Sequence, residues 1–406
     1  MLPPATALRE CHVLRDTLPG SPVQLAASDP AAARPAPPAA LTLREIKTVT
    51  RPLPADEAEL RRDYPGYFTQ LASYVALARL GALGSQSSTF SSELVFVEVG
   101  SGLAQTLALT PADENLFRAK LERIVEFLDL RLRARERLRH LSYRPAFAAP
   151  RPGQETTAAE LTAAFEKNPA VLFEAPTGFG KTGVLLEFAL GQLRSGHFDR
   201  ALYLTSKSTG QLQVVRTLTA MTANSDPSTF NFQLSTAVTS VTAWHVRNKS
   251  EHCINHTFHC HPDTCAYLAD LEARWGSSGL ARFYLLDGQT RDLPTLRAAG
   301  RAARICPYEI TRAALAFNDV WIGDYNYVFA PANRTLFYNQ PGFDPARTLL
   351  LVDEAHNLPA RVADAHSHTA HGADARALLT ELDHLRVAPP LLRAWESWTL
   401  LLSALP

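Results

Sequence analysis

The sequence predicts an α/β protein built around a parallel sheet, preceded by a smaller α/β domain. Strand and helix patterns alternate in the main part: an apolar strand at Ala170–Glu174, a helix at Gly183–Leu193 and a strand at Arg200–Thr205. Such alternation is typical of parallel sheets connected by helices. Shorter patterns precede them and predict a separate domain. These are strands at Leu41–Val49, Leu94–Val99 and Gln105–Leu109, and helices at Tyr67–Leu80 and Glu114–Leu141.

Composition fits this fold class and excludes others. Of the 406 residues, 46% are hydrophobic and 20% are charged, which is enough apolar material for ordinary globular cores. Forty basic and forty acidic residues cancel, so net charge gives no indication of a nucleic-acid partner. Because no apolar run reaches about 18 residues, we expect no membrane span. The five cysteines fit metal ligation in a reducing compartment, so a cytoplasmic location is expected.

A phosphate-binding loop follows the first strand of the main domain. The residues from Ala175 to Thr182 read A-P-T-G-F-G-K-T, with alanine where a first glycine is usual. Gly178 and Gly180 allow backbone N–H groups to converge on phosphates, and the next helix N-terminus favours their negative charge. In this pattern Lys181 reaches the β- and γ-phosphates of ATP, and Thr182 ligates Mg²⁺. The alternative is an ordinary glycine-rich turn, which the flanking strand and helix disfavour.

A pair of carboxylates follows another apolar strand. Thr348–Val352 runs directly into Asp353, Glu354, Ala355 and His356. A carboxylate at the C-terminal end of a buried strand can hold Mg²⁺, and this is the role predicted for Asp353. Glu354 is predicted to position and polarise the attacking water. A capped strand end is the alternative, and the phosphate loop upstream favours the catalytic interpretation.

Four cysteines lie between these two motifs. Cys253, Cys260, Cys265 and Cys306 follow the pattern C-x6-C-x4-C-x40-C. Zinc and iron–sulfur clusters share four-cysteine ligand sets, but zinc sites usually have two short C-x2–4-C pairs. The spacing here favours a 4Fe-4S cluster, with zinc or unrelated buried cysteines as alternatives. Four histidines in the same loop are interpreted as solvated rather than as alternative ligands: His252, His256, His259 and His261.

Together these motifs resemble the XPD/DinG family of superfamily 2 helicases. Arg-Pro-Gly-Gln at 151–154 resembles the adenine-reading element of that family, which makes Gln154 the base-contacting residue. A polar residue in a proline-rich linker is the alternative for Gln154. The match runs from Arg151 to Arg361, and three further stretches contribute to it. These are 203–211, which resembles motif Ia, 306–308 together with 324–327, and 352–358, which resembles motif II.

The resemblance implies a RecA-like motor lobe interrupted by an iron–sulfur domain. It implies ATP, Mg²⁺ and a 4Fe-4S cluster as cofactors, and single-stranded or branched DNA as partner. The implied activity is an ATP-dependent DNA helicase, moving 5′ to 3′ and acting in DNA repair. Motifs III to VI do not follow before Pro406, so we expect the second motor lobe to be missing from this chain. A DNA-binding fragment or subunit without motor activity is the alternative.

The N-terminal domain carries a different motif. Glu45 and Lys47 alternate along a strand and so share one face, as a metal carboxylate and a water-activating lysine require. Gln70 and Tyr74 share one face of the following helix. Strand E-x-K followed by helix Q-x3-Y resembles the RecB-like nucleases of the PD-(D/E)xK superfamily, which also need an upstream aspartate, for which Asp29 is the candidate. A solvated charge pair, or a nuclease-like fold without activity, is the alternative.

These assignments divide the chain into five segments. The expected order is a nuclease-like domain (1–145), a first part of the motor lobe (146–248), an iron–sulfur domain (249–306), a second part of the motor lobe (307–361) and the start of a helical arch domain (362–406).

Overall fold

The chain folds into two units that divide within one long helix. The first unit includes the described residues up to Leu132, and the second begins at Arg133. No helix among the described residues combines the length and apolar character needed to cross a membrane. The computed structural model describes residues 41–81, 90–222, 241–261, 264–286 and 289–405.

The first unit pairs its strands in the order β1-β2-β3. β1 and β2 are parallel, and helices form the long connection that such a pair requires. β2 and β3 are antiparallel. Every second side chain of β1 faces a core that includes Leu71, Leu94 and Phe96. The predicted strands and helices of this part are therefore confirmed. The described elements are β1 (Leu41–Val49), α1 (Glu57–Asp63), α2 (Pro65–Gly81), β2 (Phe90–Glu98), β3 (Ala104–Ala108) and α3 (Pro111–Arg139), whose last residues belong to the second unit.

The second unit contains a parallel sheet in the order β5-β6-β4-β7. Both faces of β4 are covered, since Ala201 and Tyr203 join one hydrophobic core and Leu202 and Leu204 join the other. The predicted parallel sheet is thus confirmed. Its elements are α4 (Gln154–Lys167), α5 (Lys181–Arg194), β4 (Arg200–Leu204), α6 (Ser208–Thr222), β5 (Ala243–His245), α7 (Lys249–His252), α8 (Leu271–Trp275), α9 (Arg282–Leu285), α10 (Leu293–Ala303), α11 (Pro307–Leu315), β6 (Val320–Gly323), α12 (Asn326–Phe329), α13 (Thr335–Tyr338), β7 (Thr348–Val352), α14 (Leu358–His366), α15 (Gly372–His384) and α16 (Pro389–Ala404), with 3-10 turns at Pro345–Arg347 and Ala355–Asn357.

The segment before the phosphate loop differs from the prediction. Residues 170–174 are described throughout, and they form no strand with any other described segment. Their side chains still alternate: Val171 and Phe173 pack on the core beside α5, and Leu172 is 97% exposed. The apolar pattern therefore set which face is buried, but a strand also needs backbone hydrogen bonds to a neighbour.

Candidate functional site

The predicted phosphate loop is a turn that leads directly into α5. Gly178 and Gly180 have φ of +81° and +90°, angles that residues with a Cβ rarely adopt. The Lys181 ammonium donates to the carbonyl oxygen of Ala175 at 3.0 Å. The loop thus has glycines where the turn requires them, and its lysine lies across the loop at the start of a helix.

Gln154 lies against this loop. Its side chain is buried, and its amide nitrogen donates to the carbonyl oxygen of Phe179. Its amide oxygen accepts from the backbone N–H of Arg151 at 2.7 Å. The ring of Phe147 packs beside Gly180 in the same place. The structure therefore brings the predicted base-contacting residue to the nucleotide loop, where it also holds the turn.

Asp353 and Glu354 lie at the carboxyl edge of the sheet. β7 pairs in parallel with β4, and the backbone N–H of Asp353 donates to the carbonyl oxygen of Leu204 at 2.9 Å. Ligand sites of parallel sheets form at this edge because the strand ends meet there. Glu354 has φ of +54°, an uncommon conformation for a residue with a side chain. Its carboxylate lies 3.4 Å from the His356 imidazole.

Two fully buried tyrosines converge on this carboxylate pair. The Tyr203 hydroxyl, on β4, donates to Asp353 Oδ2 at 3.4 Å, and the Thr182 side chain lies near it. The Tyr325 hydroxyl is shared between the carbonyl oxygens of Asp353 and Glu354, the latter at 3.0 Å. Both tyrosines stand in motifs quoted above, but the sequence assigned them no role. The sequence distinguished them only by position: Tyr203 lies in a largely apolar strand, β4, and Tyr325 follows another, β6.

The electrostatics around Asp353 favour a cation. Burial, followed by the neighbouring Glu354 carboxylate, raises the pKa of Asp353 above its ordinary value. The Tyr203 hydroxyl and the Lys181 ammonium act in the opposite direction. A divalent cation would stabilise the charged carboxylate, because an opposite charge at short range offsets both effects. The residues predicted to handle Mg²⁺ and phosphate, from α5 and from β7, are thus close enough to interact.

The four predicted cysteine ligands line one small cavity. All four are free thiols, and Cys265 is buried. Cys253 directly follows α7 and Cys306 directly precedes α11, so the two helices present them from opposite ends of the segment. Burial raises the pKa of the Cys306 thiol to about 11. Such a thiol stays protonated near neutral pH unless a metal ion binds the sulfur and displaces the proton.

A site for a single metal ion needs several ligand atoms around one point, which differs from a cluster site. Among the described residues, no group of three or more His, Cys, Asp or Glu side chains is arranged around one ion. In a 4Fe-4S cubane the four cysteines bind four different irons, so their sulfurs do not converge on one point. The cavity is lined by four thiols and the His259 imidazole, with no carboxylate, and four thiols are a donor set that suits an iron–sulfur cluster.

One histidine of the cysteine loop is not solvated, contrary to the prediction. His252 is only 1% exposed, whereas His256, His259 and His261 are exposed. The His252 ring is hydrogen-bonded to the Asn248 carbonyl oxygen at 3.0 Å and to the Thr311 hydroxyl at 3.2 Å. Its burial arises because α7 packs against α11, a contact that loop composition does not encode.

The predicted motif residues of the first unit form two contacting pairs, one on β1 and one on α2. Lys47 Nζ lies 2.7 Å from Glu45 Oε1, and both side chains are largely buried. The Lys47 ammonium also lies over the Tyr67 ring, 5.0 Å from its centroid. On α2, Gln70 donates to the Tyr74 hydroxyl at 2.6 Å. Glu45 and Lys47 thus form a partly buried ion pair. Asp29 lies outside the described residues.

Comparison with known proteins places the similarity in the second unit. Residues 230–373 match the DEAD_2 family model. This segment contains all four cavity cysteines and the Asp353–Glu354 pair. The chain is also similar to a regulator of telomere elongation helicase 1 homolog of Oryza sativa subsp. japonica, at 38% identity over 82 residues, which are 20% of this chain.

Two further similarities are more distant. A Fanconi anemia group J protein homolog of Gallus gallus is 26% identical over 144 residues, or 34% of this chain. The matches span 8% of the length of the rice relative and 11% of the chicken one. A solved structure named "Truncated XPD" has a TM-score of 0.40 and 17% identity, covering 61% of this chain and 63% of that one.

Proposed function

We propose that this chain provides the nucleotide-binding lobe of an ATP-dependent DNA helicase of the XPD/DinG type. The observation that carries the proposal is the convergence of two predicted motifs. Tyr203 is hydrogen-bonded to Asp353, at the end of β7, and Thr182 of the phosphate loop lies near it. The DEAD_2 match around Asp353, and relatives named as helicases, support the same assignment.

Each residue then has a role set by its chemistry. Lys181 compensates phosphate charge, and Thr182 and Asp353 hold Mg²⁺, which would neutralise charge developing on the phosphates. Glu354 accepts a proton from, or orients, the attacking water. Gln154 reads the adenine edge beside the loop. From the family resemblance we propose in addition that the chain binds single-stranded or branched DNA. The resemblance also suggests movement from 5′ to 3′ and a role in DNA repair.

Nucleotide binding is the measurement that tests this proposal. Replacing Lys181 by alanine removes a charge-assisted contact of about 1.5–3 kcal/mol, which corresponds to roughly 10- to 100-fold weaker binding of a fluorescent ATP analogue. Lys167→Ala, at the exposed end of α4, is the matched control and should bind as the unmodified chain does. Equal affinity of all three proteins would remove the nucleotide site from the proposal.

We propose further that Cys253, Cys260, Cys265 and Cys306 hold a 4Fe-4S cluster. The cavity that the four thiols share supports it. The cluster would fix the 249–306 segment as a strand guide beside the motor, and it needs no redox turnover for that role. Anaerobically purified protein should contain about four irons and four sulfides per chain. Stoichiometric zinc without labile sulfide would replace this proposal with a zinc site.

A second candidate function belongs to the first unit. The contact between Glu45 and Lys47, beside Tyr67, favours a nuclease-like metal site over an ordinary surface pair. Glu45 and Asp29 would ligate the metal, and Lys47 would orient or deprotonate a water. The test is cleavage of single-stranded or flapped DNA with Mg²⁺ or Mn²⁺ and without ATP. Intact DNA after prolonged incubation would leave a DNA-holding domain without nuclease activity.

A further inference from the structure

Tyr203 occupies a position that its apolar packing alone does not explain. It is the fourth residue of β4, in which every residue is buried, and its ring belongs to the hydrophobic core that includes Ile322 and Leu351. A phenylalanine would contribute the same ring to that core. A hydroxyl in such a place is costly unless it finds a partner, because a buried polar group loses its bonds to water.

The hydrogen-bond partner of this hydroxyl is a residue proposed to bind the cation. Tyr203 donates to Asp353 Oδ2 from β4, and Thr182, the other proposed cation ligand, lies near it on α5. The distance from this hydroxyl to Asp353 Oδ2 is 3.4 Å.

We propose that Tyr203 is a positioning residue for the divalent cation of the nucleotide site. This inference rests on the proposed function. A hydroxyl that donates to one carboxylate oxygen limits rotation of the Asp353 side chain and leaves the second oxygen for the ion. Groups that orient metal ligands in this way typically contribute 10- to 100-fold to metal affinity.

Manganese is a suitable probe because its binding is read directly by electron paramagnetic resonance. In the presence of ADP, Tyr203→Phe should bind Mn²⁺ about 10-fold more weakly than the unmodified chain. Affinity for ADP in EDTA should not change, since the substitution removes no phosphate contact. The matched control is Tyr327→Phe, which removes a hydroxyl bonded to the Arg247 carbonyl oxygen at 3.2 Å. That control should leave Mn²⁺ affinity unchanged.

Further variants separate a failure of this inference from a failure of the proposed function. Asp353→Asn should abolish Mn²⁺ binding. If it does, and Tyr203→Phe binds Mn²⁺ within twofold of the unmodified chain, Tyr203 has no positioning role although the nucleotide site stands. If Asp353→Asn also binds Mn²⁺ normally, the proposed site itself is wrong.

Folding defects are controlled by a donor-bearing replacement. With 4-aminophenylalanine at position 203, the amino group can still donate to the carboxylate, so Mn²⁺ affinity should return to within about threefold. Recovery by this variant, with loss in Tyr203→Phe, supports the inference even if the phenylalanine variant is less stable. Equal loss in both variants would overturn it, because a donor would then be present without effect.

Discussion

Gly183, in the first turn of α5, tests how tightly the phosphate loop is packed. A Cβ built there would lie 2.6 Å from the tip of the Phe147 ring and 2.8 Å from the Ala146 Cβ. Contacts this short force a neighbour to move, and overpacking of this kind typically costs about 1–3 kcal/mol. Alanine would return up to about 1 kcal/mol through its higher helix propensity. Gly183→Ala should therefore destabilise the second unit by about 1–2 kcal/mol.

A second glycine of the same helix provides the matched control. A Cβ at Gly191 would meet only the Tyr143 hydroxyl oxygen, at an ordinary 3.6 Å. Gly191→Ala should therefore stabilise the unit by about 0.5–1 kcal/mol, the usual gain for a helical glycine. At roughly 2–4 °C per kcal/mol, the two substitutions should shift the melting temperature in opposite directions.

Tryptophan fluorescence during thermal unfolding measures this difference in the relevant unit. All five tryptophans follow Arg133 in the sequence, so their signal reports the second unit alone. Adding Phe147→Leu to Gly183→Ala should recover part of the loss, since a smaller side chain makes room for the new methyl group. If Gly183→Ala raised the melting temperature as much as Gly191→Ala, the proposed packing of Phe147 against the loop would be refuted.

The remaining predictions concern the cavity, the first unit and pH. Cys260→Ser should lose the brown colour and the labile sulfide of anaerobically purified protein, as absorbance and iron analysis would show. Lys47→Ala should abolish metal-dependent DNA cleavage without unfolding the first unit. Arg44→Ala, a substitution on the opposite face of β1, should leave cleavage normal. Equal cleavage by both variants would exclude a role for Lys47. Burial lowers the pKa of His245 from 6.5 to about 4, so the unfolded chain binds this proton first as pH falls. Stability should then decline between pH 6.5 and 4, by up to about 3 kcal/mol, and His245→Gln should flatten that part of the denaturation profile.

Much of the candidate site was predictable because its signals are local. Glycines at positive φ and the start of α5 lie within a few residues, so the spacing in the sequence specifies the loop. The parallel sheet followed from the alternation of strand and helix patterns along the chain. The strand at 170–174 was wrong because pairing depends on a partner elsewhere in the chain. Periodicity determined only that Val171 and Phe173 face inward.

By itself, then, the sequence predicted a phosphate loop, a carboxylate pair at a strand end and a set of four cysteines with ligand-like spacing. Only the tertiary structure decided that Tyr203 and Tyr325 meet at Asp353, since that meeting depends on which strands are neighbours. It also decided that His252 is buried under α11 rather than solvated. The physical reason is the same in these cases: hydroxyl and imidazole groups are polar, so the sequence alone predicts that they face water. Whether such a group faces water or a buried partner depends on contacts between residues far apart in the chain.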